Sequence, residues 1–191
     1  VCEAEVGTLL EDHSYYNTYR GLTIKKADAD AYHATNPAQC VADQQFIYSH
    51  VQNVLCGGEA NKEECAEFVI KCVAQLIQKP MEKLKVSIIF RSLAEGLGKT
   101  QFLRMIAYVI GPRHAALTAD PNLIVGSFND LLKNKIFVGL DEAQKRTRPD
   151  AHQKMQDTVT ATDMQLHGKH DKPIAMTSYV NIFQATNVAN D

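Results

Sequence analysis

The stretch that decides the fold runs from residue 85 to residue 100 and reads KVSIIFRSLAEGLGKT. Its apolar run from Val86 to Phe90 predicts a buried strand. A loop containing Gly96 and Gly98 follows, and Lys99-Thr100 opens a helical pattern. This order predicts a loop that cradles phosphate groups, because glycines let backbone N–H groups turn towards an anion at a helix N-terminus.

The residue types of this loop point to ATP and Mg²⁺ as cofactors. In the pattern G-x-x-x-x-G-K-[ST], the lysine reaches the β- and γ-phosphates and the hydroxyl binds Mg²⁺. Gly98, Lys99 and Thr100 fit the pattern, but Leu93 stands where its first glycine belongs. Leu93 predicts either a strained turn or an ordinary extended residue that packs at the end of the strand, and we favour the second. A chance Gly-x-Gly at a strand–helix turn is the alternative interpretation of the loop alone.

Downstream of the loop, helical and strand patterns alternate, which predicts a parallel sheet flanked by helices. The first helix is predicted from Lys99 to Ile110, where Gly111-Pro112 stops it. Ser127 is predicted to cap a short helix. The remaining predicted elements are strands at 115–118, 136–140 and 179–185 and a helix at 151–160.

Polar residues stand at the ends of two of these strands. Asp141 and Glu142 follow the strand at 136–140, and Asn187 follows the last one. In open parallel sheets ligands bind beyond the carboxyl ends of the strands. We therefore expect Asp141 to hold Mg²⁺, Glu142 to deprotonate the attacking water and Asn187 to sense the γ-phosphate. The alternatives are a solvated acidic turn and an ordinary turn asparagine.

A predicted β-hairpin carries the most concentrated basic segment. Its strands, Thr162–Leu166 and Pro173–Thr177, flank a tip that contains Lys169. The net charge of the chain is -2, so contact with nucleic acid has to come from such a local patch.

The region before the loop has a different pattern. A short strand is predicted at Gly21–Ile24, a polar loop from Lys25 to Pro37, and helices at 43–55 and from 61 to Pro80. We therefore expect a mostly helical appendage over residues 1–80 and an α/β core over residues 81–191.

Composition indicates the class of protein and the cellular compartment. The 191 residues contain no stretch that approaches the length of a membrane span. The five cysteines include no C-x-x-C pair, which favours free thiols in an intracellular, reducing compartment. Because the sequence begins at Val1 rather than Met, we expect it to be part of a longer protein whose core continues past residue 191.

Taken in order, Gly96-Leu97-Gly98-Lys99-Thr100, Asp141-Glu142, the Lys169 hairpin and Thr186-Asn187 resemble the superfamily three helicases. The set looks most like the primase–helicase proteins of phages, plasmids and large DNA viruses. The resemblance implies an AAA+-like P-loop NTPase that hydrolyses ATP to move on single-stranded or forked DNA during replication. It also implies a homo-hexamer, a primase region on the same parent chain, and contact between Lys169 and the DNA backbone.

Two other functions remain open at this stage. The first is a degenerate nucleotide-binding subunit for assembly, without turnover, for which Leu93 is the evidence. The second is a small-molecule phosphotransferase on a P-loop core. The acidic pair followed by a terminal asparagine suits activation of water better than activation of a substrate hydroxyl, which disfavours the phosphotransferase.

Overall fold

The computed structural model describes Tyr19 and the ranges 21–141, 151–169 and 172–187. The α-helices of these residues are α1 (Lys26–Thr35), α2 (Pro37–His50), α3 (Lys62–Gln78), α4 (Lys99–Ile110), α5 (Asn122–Val125) and α6 (Ala151–Thr160). The strands are β1 (Ile88–Arg91), β2 (Ala115–Thr118), β3 (Phe137–Leu140), β4 (Asp163–Leu166), β5 (Ile174–Thr177) and β6 (Asn181–Thr186). A single π-helical turn, Val51–Leu55, follows α2, and a 3-10 turn, Asp130–Leu132, precedes β3.

A parallel sheet of four strands in the order β1-β6-β3-β2 forms the centre of the molecule. The last strand in sequence, β6, lies between β1 and β3, with Phe90 opposite Ala185 and Gly139 opposite Phe183. All four strands run in the same direction, so their carboxyl ends meet at one edge. The predicted parallel sheet flanked by helices is therefore confirmed.

Helices cover both faces of this sheet. On one face, α3 and α4 bury Leu76, Leu103 and Ile106 together with Phe183 of β6. On the other face, α5, α6 and the hairpin strand β4 pack against side chains that include Ile182. Residues on both faces are therefore apolar, as expected for a parallel sheet covered on both sides. Helix α3 packs in the same hydrophobic core as the sheet. The domain boundary expected at residue 80 stays a prediction.

Helix α4 follows the apolar periodicity of its sequence. Phe102, Leu103, Ile106 and Ile110 are all buried, which gives the helix one continuous apolar face. Gly111 then adopts a φ of 94°, which a side chain would disfavour, and its N–H donates to the Ala107 carbonyl at 2.8 Å. The predicted limits of this helix are confirmed.

The strand predicted at Gly21–Ile24 is wrong. Thr23 and Ile24 instead donate their N–H groups to the carbonyl oxygens of Ile110 and Val109, both at 3.3 Å. The last carbonyls of a helix have no partner within the helix. The segment therefore caps the end of α4, and the apolar side chains that suggested a strand have a different backbone partner.

The polar loop predicted from Lys25 to Pro37 is also wrong, because this stretch forms α1 and the start of α2. Helix α1 buries no residue, so it shows no apolar stripe that periodicity could detect. Lys26 and Asp30 form an ion pair one helical turn apart, which supports an exposed helix. Pro37 then stands at the first position of α2, where its missing N–H costs nothing.

Two further helix limits differ from those predicted. Helix α2 begins at Pro37 rather than residue 43, and its last predicted turn is the π-helical turn Val51–Leu55. Ser127 caps no helix, since α5 ends before it and the 3-10 turn begins after Asn129. Short elements of three or four residues bury too few side chains to show a period.

The predicted hairpin is confirmed, with β4 and β5 paired antiparallel and Gln165 opposite Ala175. The Ser178 N–H donates to the Thr162 carbonyl at 2.7 Å and closes its base. Most of the hairpin is exposed, with Leu166 as its buried contact with the core.

Candidate nucleotide site

The loop between β1 and α4 has the backbone geometry that close approach to a phosphate requires. Gly96 and Gly98 adopt φ values of 73° and 78°, in the left-handed region that favours glycine. Gly98 precedes Lys99, the first residue of α4, so the loop leads directly into the N-terminus of that helix. Backbone N–H groups at such a terminus are anion donors.

Leu93 does not strain this loop. It is not among the non-glycine residues with positive φ, so its backbone needs no glycine. Its side chain is 77% exposed, and β1 ends two residues earlier at Arg91. The expectation that Leu93 packs at the end of the strand is therefore wrong, whereas the expectation of an ordinary backbone agrees with the structure.

Lys99 is buried, and oxygen atoms surround its amine. Its Nζ donates to Ser92 Oγ at 2.5 Å and to Asn187 Oδ1 at 2.6 Å, with the Ala94 carbonyl at 3.4 Å. A buried ammonium group needs such partners to offset lost hydration. The bond to Asn187 joins the start of α4 to the end of β6.

Thr100 and Asp141 meet beside this lysine. The Thr100 hydroxyl donates to Asp141 Oδ1 at 2.8 Å, which joins the first turn of α4 to the end of β3. The Asp141 N–H donates to the Thr118 carbonyl at 2.8 Å, so the adjacent strand β2 holds its backbone. Glu142 lies outside the described residues.

The strand order explains why these residues meet. Strands β1, β6 and β3 are neighbours, and each delivers its polar residue at the same edge of the sheet. A cleft of about 270 Å³ opens there. Its lining consists of Gly96, Leu97, Gly98, Lys99, Thr100, Gln101, Asp141, Ala185, Thr186 and Asn187.

The chemistry of this donor set fits a magnesium–nucleotide complex. Within the described ranges, no group of three or more His, Cys, Asp or Glu side chains gathers to hold a metal ion. A Mg²⁺ ion held by Thr100 and Asp141 would take its other ligands from phosphate oxygens and water, which is its usual coordination in nucleotide sites. Lys99 would supply positive charge for the phosphates of such a complex.

The sequence interpretation missed two side chains at this site. Ser92 accepts the hydrogen bond from Lys99 and donates its own to the Ala94 carbonyl at 2.8 Å. His50, at the end of α2, lies against Gly98, where a Cβ would stand 2.9 Å from the His50 Cε1. No sequence pattern signals His50, because its position depends on how α2 packs against the loop.

Lys169 lies apart from the cleft, on the hairpin between β4 and β5, where it is exposed. The next two residues of the tip, 170 and 171, are outside the described residues. The structure thus brings together Lys99, Thr100, Asp141 and Asn187 and places Lys169 on a separate element.

None of the helices in the described residues combines the length and apolar character needed to cross a membrane. No curated protein matches the sequence significantly.

Solved structures of the NrS-1 C-terminal region share the fold. Its apo structure (305–718) gives a TM-score of 0.62 at 21% identity, covering 74% of this chain and 33% of that chain. The A form apo structure of that region gives 0.58 at 19% identity, covering 75% and 32%, and a further A form structure gives 0.58 at 20%, covering 74% and 33%. The chain therefore spans about a third of the length of these structures.

One family model matches residues 90–191, which is more than half of the chain, and its description is "Family of unknown function (DUF5906)". The matched segment begins in β1 and contains the whole lining of the cleft. The chain belongs to this family, DUF5906.

Proposed function

We propose that this chain is the ATPase core of a DNA helicase that acts in replication. The observation that carries the proposal is the meeting of Lys99, Thr100, Asp141 and Asn187 at one edge of the parallel sheet. In P-loop NTPases a lysine, a hydroxyl and a strand-end aspartate take these positions around phosphate and Mg²⁺.

Each side chain has a defined task in this proposal. Lys99 exchanges its bonds to Ser92 and Asn187 for bonds to the β- and γ-phosphate oxygens. Thr100 and Asp141 hold Mg²⁺, which when bound neutralises charge that develops on the phosphates. Glu142, next to Asp141 in sequence, takes a proton from the attacking water as the bond from the γ-phosphorus to ADP breaks.

Asn187 connects the nucleotide to the rest of the sheet. Its amide oxygen accepts from Lys99 in the structure, so arrival of a γ-phosphate at Lys99 would change the contacts of Asn187. Because Asn187 directly follows β6, such a change acts on the strand between β1 and β3. This supports the sensor role that we propose for it.

The DNA part of the proposal has separate support. The hairpin presents Lys169 to solvent, and a charged side chain in this position suits a phosphate backbone. The resemblance to superfamily three helicases supports single-stranded DNA as the partner and a homo-hexamer as the assembly. It also supports ATP turnover inside a cell, which is the host cell if the protein is viral.

The experiment is ATP turnover with and without single-stranded DNA. We expect turnover that rises when DNA is added, because a translocating motor couples the two sites. Turnover without any response to DNA would contradict the helicase and favour a phosphotransferase, whereas ATP binding without turnover would favour a degenerate subunit.

Glu142→Gln should bind ATP and lose turnover, with Glu67→Gln on the exposed face of α3 as the control.

A further inference from the structure

The hairpin needs support from outside its own two strands. Strands β4 and β5 have four residues each, and a two-stranded hairpin of this kind is marginally stable by itself. Its base is closed by the bond between Ser178 and Thr162. The opposite end, which carries Lys169, has no equivalent closure within the described part of the hairpin.

Asn129 supplies a contact at that end. Its backbone N–H donates to the His167 carbonyl at 3.2 Å. Its side-chain Oδ1 accepts from the His167 N–H at 2.8 Å, and its Nδ2 donates to the Gln165 carbonyl at 3.1 Å. The side-chain amide of Asn129 therefore bonds through both its oxygen and its nitrogen to the backbone that leads to Lys169, as a neighbouring strand would.

The anchor is itself fixed to the core. Asn129 stands immediately before the 3-10 turn Asp130–Leu132, and the Leu132 N–H donates to its carbonyl at 3.0 Å. Leu132 is fully buried in the cluster beneath the hairpin. Movement of the hairpin tip against the core would therefore break the bonds of Asn129.

The geometry points to Asn129 as a positioning residue for the DNA contact of the hairpin. It fixes the direction in which His167 and Lys169 leave β4, so that Lys169 meets a phosphate without a further ordering cost on binding. This inference rests on the proposed function, because it gives the hairpin a DNA backbone as its ligand. Asn129 itself need not touch DNA.

The salt dependence of DNA binding distinguishes the role of Asn129 from that of Lys169. The logarithm of the affinity for single-stranded DNA falls with the logarithm of the salt concentration by about 0.7 per neutralised phosphate. Lys169→Ala removes a phosphate contact and should make this slope shallower. Asn129→Ala leaves Lys169 in place, so the slope should stay as in the parent protein while the affinity falls about tenfold.

The test is fluorescence anisotropy of a labelled oligo-dT strand in a salt series, with melting temperature and basal ATP turnover as further readouts. Asn122→Ala is the matched control, because this asparagine lies on nearby α5 and its exposed side-chain amide donates to Asp120 Oδ1 at 2.9 Å, away from the hairpin. Of the two asparagine variants, we expect only Asn129→Ala to lose affinity for DNA, with basal turnover kept. Faster hydrogen exchange at the His167 amide should accompany the loss, because that N–H loses its acceptor.

Two results would overturn the inference. The first is equal DNA affinity of Asn129→Ala and the parent protein. The second is a parallel fall in melting temperature, basal turnover and DNA affinity, which would make Asn129 a general contributor to stability. A parent protein that binds no single-stranded DNA would instead refute the proposed function, and the DNA role of Asn129 would fail with it.

Discussion

Gly98 brings the loop between β1 and α4 into contact with the helices that precede it. Its φ of 78° disfavours any side chain, and a Cβ would also stand 2.9 Å from the His50 ring. Gly96 has a similar φ of 73°, but nothing lies within 4 Å of the position of its Cβ. Substitutions at the two glycines therefore distinguish the energetic cost of the backbone conformation from that of a collision with His50.

We predict that Gly98→Ala weakens Mg-ATP binding more than Gly96→Ala does. Both variants place a side chain in the left-handed region, at about 1–2 kcal/mol, and only Gly98→Ala adds the collision with His50. His50→Ala should restore part of the affinity of Gly98→Ala and none of that of Gly96→Ala. Calorimetric titration of the single and double variants measures this coupling, and equal rescue of both glycine variants would refute the contact.

Leu93 gives a prediction of the opposite kind. Because its backbone is ordinary and its side chain is 77% exposed, Leu93→Gly relieves no strain and removes little packing. The affinity for Mg-ATP should stay unchanged, and the free energy of unfolding should fall by at most about 1 kcal/mol through added chain entropy. Nucleotide titration and thermal melting check this. Tighter ATP binding with unchanged melting would show that the leucine impairs the loop.

At the scale of single residues, the sequence identifies those site residues that stand in a recognisable local pattern. Lys99, Thr100 and Asp141 could be selected because a glycine loop and an acidic strand end have recognisable neighbours in sequence. His50 and Asn129 could not, because each contacts a segment 36 or more positions away through packing that no local pattern specifies.

At the scale of elements, the predicted limits of α4, β2 and α6 agree with the structure, and in α4 the reason is an amphipathic run that ends at the stop signal Gly111-Pro112. Helix α1 was missed because it buries nothing. The segment at Gly21–Ile24 was assigned to a strand because an apolar run does not reveal that its backbone caps a helix.

Lys83 ties the segment before β1 to the base of the hairpin. Its amine donates to the carbonyl oxygens of Thr158 and Ala161 at 2.7 Å each, and to Ser178 Oγ at 3.1 Å. Burial, and to a smaller extent the charge of Lys85, lowers the pKa of Lys83 from 10.5 to about 8. The amine thus closes the end of α6 while it carries a charge that the folded state disfavours.

This pKa predicts a pH dependence of stability. Between pH 8 and 10.5 the unfolded chain keeps the Lys83 proton that the folded chain has lost, so the free energy of unfolding rises with pH. Lys83→Met should lose this rise, so the parent protein should gain stability relative to the variant across that window. Chemical denaturation at stepped pH measures the difference, with Lys71→Met on the exposed face of α3 as the control. Parallel pH profiles of Lys83→Met and the parent would contradict the assignment.

At the scale of the whole molecule, the sequence predicts a parallel sheet and not the order of its strands. The placement of β6 between β1 and β3 pairs residues that are 95 and 44 positions apart in the sequence, and it decides that Asn187 meets Lys99 rather than solvent. The shared fold with the NrS-1 C-terminal region supports this α/β architecture, and the proposed chemistry rests on the residues of the cleft.

Titration of Mg-ATP into the parent protein and Lys99→Ala addresses the cleft itself. We expect the parent to bind Mg-ATP, and Lys99→Ala to bind it about ten- to a hundredfold more weakly, because a charge-assisted bond contributes about 1.5–3 kcal/mol. Lys71→Ala, which removes an exposed amine from α3, should bind as the parent does. If the parent binds no Mg-ATP, or if Lys99→Ala binds it as tightly as the parent while folded, the cleft at the end of the parallel sheet is not a nucleotide site.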